Sequence, residues 1–145
     1  MAIPLDIGLT RLVVSLVLGG LIGLEREIHK SPAGLRTISL VSLGATLFTL
    51  ASLTLTGPGT DITRIAAQIV VGIGFIGGGV IFQLKDTVHG LTTAASMWVA
   101  AAIGLMVGIG EYSIATVTAV LVMLVLWFGR WEKRYLPHEP LMKRK

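Results

Sequence analysis

Apolar residues along this chain gather into long blocks, without the alternation of a half-buried strand or the narrow stripe of a soluble helix. The blocks run roughly from Leu5 to Leu24, Leu35 to Leu55, Ile62 to Leu84, Leu91 to Val107 and Tyr112 to Gly129. Each approaches or exceeds the ~20 residues a helix needs to cross a hydrocarbon core. Between them lie residues 25–34, residues 56–61 with Gly57-Pro58-Gly59, residues 85–90, and a short link over 108–111. None of these links has room for a soluble domain. The pattern predicts an all-α integral membrane protein with about five transmembrane helices over residues 1–129, followed by a basic tail over 130–145.

Composition agrees: 53% of the 145 residues are hydrophobic, 14% are charged, and mean hydropathy is +0.82, well outside soluble averages. The absence of cysteine excludes structural disulfides, thiolate metal sites and a cysteine nucleophile. The net charge of +4 follows the loops and the tail instead of forming a patch, so no nucleic-acid partner is expected. Basic loops are retained in the cytoplasm. With the N-terminus outside, Arg26, Lys30, Arg36, Lys85 and six basic residues of the tail fall inside, against Arg11 and Arg64 outside. The first six residues lack a basic n-region, so no removable signal peptide is expected.

The third block is the richest in glycine, with Gly72, Gly74, Gly77, Gly78 and Gly79. At 100° per residue, Ala67, Gly74 and Gly78 share one face while Gln68, Gly72 and Gly79 share another. Smooth faces let neighbouring helices approach closely within lipid, so this helix is expected to be the packing hub. Ser15, Gly19 and Gly23 in the first block and Ser96, Ala100 and Gly104 in the fourth are its expected partners. Gly34-Leu35-x-Thr37 is echoed by Gly90-Leu91-x-Thr93, as two parallel helical hairpins would produce.

Chemistry-bearing residues collect beside the first and second inner loops: Glu25, Arg26, Glu27, His29, Lys30 and Arg36 in one, Lys85, Asp86, His89, Thr92 and Thr93 in the other. One reading is a clamp, with Glu25 paired to Arg36 or Asp86 to Arg26. The other is a hydrophilic vestibule for a cation or a partner protein, and oxygen ligands suit magnesium without being specific to it. Gln68 is the only strongly polar side chain far from a charged loop within the third block, placed to bond another helix or to line a polar path. His29 and His89 lack a zinc-like spacing, so no resident metal is assigned. Gly72-x-Gly74-x-x-Gly77 matches a dinucleotide pattern but has no preceding strand. No nucleophile with a base, no paired acids and no phosphate loop are present, and an enzyme is not expected.

Gly23-Leu24-Glu25-Arg26-Glu27, Ala33-Gly34-Leu35-Arg36-Thr37, Gly72 to Gly79, Val88 to Ala95, and Trp98 with Ala101 to Gly104 together resemble the MgtC/SapB family of membrane proteins. The resemblance covers roughly Leu9 to Val125. It implies a bacterial or archaeal inner-membrane protein linked to magnesium homeostasis and growth at low magnesium, with any magnesium bound only transiently and no cofactor. Its activity would lie in regulating other membrane proteins, with a small cation transporter as the alternative. Other membrane proteins and further copies of the chain are the expected partners beside the bilayer. Two departures stand out: the chain ends without the cytoplasmic domain of longer members, and Gly78 replaces a common alanine. Glu25, Arg26, Arg36, Thr92 and Thr93 match the family signature, with Thr37 and Asp86 beside them in the candidate polar site.

Overall fold

The computed structural model describes residues 3–55, 61, 63–85 and 87–135, with side chains through Gly129 and at Trp131. The order is α1 (Leu5–Ile28), α2 (Leu35–Thr54), α3 (Thr63–Gly78), β1 (Phe82–Leu84), β2 (Thr87–His89), α4 (Leu91–Ile109) and α5 (Tyr112–Tyr135). Among the described residues the protein is all-helical apart from one two-stranded hairpin, in which Phe82 pairs with His89 and Leu84 with Thr87. Helices α1, α2, α4 and α5 carry stretches long and apolar enough to cross a membrane. This is a multi-pass membrane protein.

The third block departs most from expectation. Only 16 residues of it are helical, about 24 Å of rise against a ~30 Å hydrocarbon core. The cause is local: Gly77, Gly78 and Gly79 weaken the helix just before the β-branched and aromatic run Val80-Ile81-Phe82, which favours extended backbone. The chain leaves the helix there and turns at Lys85, whose φ is +53°. Asp61, beside the start of α3, accepts from Thr63 N at 2.9 Å and Thr63 Oγ1 at 2.6 Å, and these bonds from Thr63 hold its carboxyl below the usual carboxylate range.

The hub is α4, which packs on all four other helices. The expectation that α3 would be central is corrected here: around Gly72, Gly74 and Gly78 nothing lies within 4 Å of an added Cβ, and all three are exposed. Gly77 alone among the glycines within α3 faces α4, at Ala94. Close approach occurs instead where α1 and α4 flank α2. A Cβ at Gly19 would lie 2.6 Å from Ser42 Cβ, and one at Gly23 2.8 Å from Leu35 Cα. On the other side Gly104 lies against the Ser42 carbonyl, and a Cβ at Gly108 would meet Thr49 Cγ2 at 2.8 Å. Both are glycine pairs at four-residue spacing, which bring backbones together where lipid supplies no hydrophobic drive. Gly108 belongs to this seam because α4 continues to Ile109, beyond the expected Val107.

Candidate functional site

These contacts fix the relative directions of the helices. Gly23 meets Leu35 and Gly77 meets Ala94, while Arg26 reaches Thr93, so the α1–α2 link and the β-hairpin share one end of the bundle. Ser42 and Thr49 meet Gly104 and Gly108 in the same order, so α2 and α4 run parallel. Arg26, Lys30, Arg36 and Lys85 therefore fall at one end, as the loop pattern predicts. The proposed internal echo holds at the caps, where Gly34 precedes α2 and Gly90 precedes α4.

At the basic end the last turns of α1 present consecutive acids and a base to three directions. Glu25 is buried, 6% exposed, and its Oε1 lies 3.5 Å from His29 Nδ1. The same nitrogen is 2.7 Å from the Glu25 carbonyl oxygen, to which the Nδ1–H tautomer donates. Arg26 turns the other way and donates to Thr93 Oγ1 at 3.2 Å. Glu27 accepts the Leu35 N–H at 2.9 Å, placing a carboxylate at the positive end of α2. Gly34 leaves the space for it, since a Cβ there would strike Glu27 Oε2.

The expected site residues divide accordingly. Arg26 and Thr93 come together at the junction of α1 and α4, Glu25 is buried beside His29, and Arg36, Thr37 and Thr92 are exposed. Arg36, the expected clamp partner of Glu25, is exposed, whereas Glu25 is buried with its Oε1 3.5 Å from His29 Nδ1. The reason is geometric: α2 begins with Leu35 over Gly23, which turns Arg36 outward. Asp86, and with it the Asp86 to Arg26 pairing, lies outside the described residues. His89 is exposed and stacks on Phe82, 5.4 Å between centroids. Gln68 is exposed on α3. No group of three or more His, Asp or Glu is arranged to hold a metal among the described residues.

Sequence reasoning missed the opposite end. Arg11 donates through Nη1 to the Gly108 carbonyl at 2.7 Å. Helix α4 ends there in a left-handed Gly110, φ +98°, with Gly110 N bonding Val107 O and Glu111 N bonding Met106 O. That is a Schellman closure, and the arginine takes a carbonyl it leaves open. A lone arginine inside an apolar block is the signal that pointed to a partner here. Between the two arginines runs a seam of buried hydroxyls, Ser39, Ser42, Thr46, Thr49 and Ser52 on α2. Thr46 Oγ1 donates across it to the Gly104 carbonyl at 2.7 Å.

Residues 12–135, which include most of α1 and all of α2 and α4, match the profile of the MgtC family. The chain belongs to the MgtC family. It is similar to the MgtC protein of Brucella abortus, 48% identical over 109 residues that cover 75% of this chain and 45% of that protein. The MgtC protein of Salmonella typhimurium is 46% identical over 112 residues, 77% of this chain and 48% of the relative. YhiD of Escherichia coli, whose name proposes a magnesium transporter, is 43% identical over 123 residues, 80% of this chain and 57% of the relative. The chain thus spans about half the length of these curated relatives. No solved structure matches it.

Proposed function

We propose that this chain serves magnesium homeostasis from the inner membrane by binding and regulating other membrane proteins, without enzymatic chemistry and without conducting the ion itself. The link to magnesium rests on family membership and on the name carried by YhiD. Orientation follows from the gathering of Arg26, Lys30, Arg36 and Lys85 at one end, which is cytoplasmic in this reading, with the N-terminus outside.

The observation that carries the mechanism is the closed centre. The seam between α2 and α4 is shut by direct contact of Gly104 with the Ser42 backbone, and the Thr46 hydroxyl is bonded across it. A guanidinium stands at each end, Arg11 at Gly108 and Arg26 at Thr93. Fifteen residues of α1 separate them, about 22 Å of helix. A divalent cation 6 Å from either guanidinium would be repelled by roughly 5 kcal/mol at an effective dielectric of ~20. The second reading, cation transport, draws on the buried hydroxyl seam and on the Glu25 carboxylate near its basic end.

Purified protein in liposomes loaded with a magnesium indicator separates the two. Flux no greater than in protein-free liposomes, from protein that restores growth at low magnesium, is the expected result. Flux that scales with protein content and falls on Thr46→Leu would overturn the regulatory reading.

A further inference from the structure

The two smooth faces of α3, unused inside the chain, lie beside an open groove. Between α2 and α3 runs a lipid-facing groove of about 550 Å³, lined by Val41, Gly44, Phe48, Ile69 and Gly72 among apolar neighbours, with Gln68 its single polar lining residue. Gln68 makes no hydrogen bond among the described residues, although it sits one turn inward of Arg64 on an apolar helix. Phe75 projects from the same side of α3 and is 85% exposed. At 100° per residue it falls within about 20° of Gln68.

An acyl chain can fill apolar volume but offers a carboxamide nothing to bond, and unsatisfied amides are costly in hydrocarbon. We infer that this groove is the interface between two copies of the chain, with Gln68 pairing to Gln68 of the partner subunit across a two-fold axis normal to the membrane. The geometry selects a second copy for a simple reason. Copies inserted in one orientation share every residue's depth, so such an axis brings like residues of α3 together at the same level. A carboxamide carries both donors and an acceptor, which makes it complementary to itself. The open backbones at Gly72 and Gly44 permit the close approach that such a pairing needs, and Phe75 supplies the bulk to occupy the groove of the other copy. The inference does not depend on the proposed function, because a regulator and a transporter could both pair this way.

The chain has no cysteine, so single-cysteine variants report cleanly. Gly72→Cys and Phe75→Cys, which leave Gln68 in place, are to be oxidised with copper phenanthroline both in native membranes and after purification into liposomes. Val117→Cys and Val125→Cys, on exposed positions of α5, serve as comparison. Strong disulfide dimers from the α3 positions in both preparations, with little from α5, are expected. Association of dye-labelled chains in liposomes should weaken about 3- to 20-fold on Gln68→Leu, with helical content unchanged. An unchanged association on Gln68→Leu, dimers only through α5, or no dimers at all would overturn the assignment. So would an α3 adduct with a different protein in native membranes that vanishes on purification.

Discussion

Gly104→Ala is the sharpest test of where this bundle is held together. A methyl group at that position would overlap the Ser42 carbonyl oxygen and sit 2.9 Å from Ser42 C and 3.0 Å from Ala45 Cβ. The first two are backbone atoms of α2, which cannot rotate away as a side chain would, so α2 and α4 must separate. Overpacking of this kind costs about 1–3 kcal/mol. Separation also stretches the 2.7 Å bond from Thr46 Oγ1 to Gly104 O, and interhelical bonds in membranes contribute about 0.6 to 1.7 kcal/mol. The expected loss is therefore roughly 2–4 kcal/mol. Gly74→Ala is the contrast: open space surrounds that position, and alanine in a helix is favoured by about 0.5–1 kcal/mol. Unfolding of both variants is to be followed by far-ultraviolet circular dichroism in a detergent that keeps the protein monomeric. A Gly104→Ala protein as stable as wild type, or a Gly74→Ala protein that is the weaker of the two, would refute this account of the core.

Arg11→Leu should cost about 1.5–3 kcal/mol in the same measurement, because it removes a charged donor from the Gly108 carbonyl; Arg11→Lys should retain part of that stability. Asp61 predicts a pH dependence at the start of α3. Its folded pKa is depressed by the bonds from Thr63, so its contribution is present above the unfolded value of about 4 and is lost as pH falls through the folded value. Amide exchange in the first turn of α3 should accelerate below pH ~4 in the wild type and not in Asp61→Asn.

Helix number and the gathering of basic loops were legible because both follow from the one-dimensional pattern of apolar blocks and charges. So were the four-residue spacings Gly19 to Gly23 and Ser96 to Gly104, although their weight was misjudged. Counting glycines favoured α3, with four from Gly72 to Gly78, over α4 with two. A glycine count reports where backbones can approach, whereas the presence of a facing helix decides where they do. Thr46 and Thr49 supplied that facing surface for α4, and their positions on α2 become informative only once the parallel pairing of α2 and α4 is known. Glu25 and Arg26 were identified as polar site residues, but their partners depend on how Leu35 lands over Gly23, a contact between segments that loop composition does not specify. Arg11 needed the end of α4 to be placed within a turn, which block boundaries do not provide.

The replacement of the last turns of α3 by a strand changes how the protein meets a bilayer of varying thickness. A continuous helix accommodates a thinner or thicker membrane by tilting as a rigid rod, which would disturb its neighbours. Here α3 gives way to an extended stretch, Phe82 to Leu84, whose strand pairing is with its own hairpin partner, Thr87 to His89. Extended chain advances about 3.3 Å per residue against 1.5 Å for helix, so a small change at the glycine junction converts into a large change in reach. The glycine junction and the hairpin lie apart from the Gly104 seam, which is closed by backbone contact between α2 and α4.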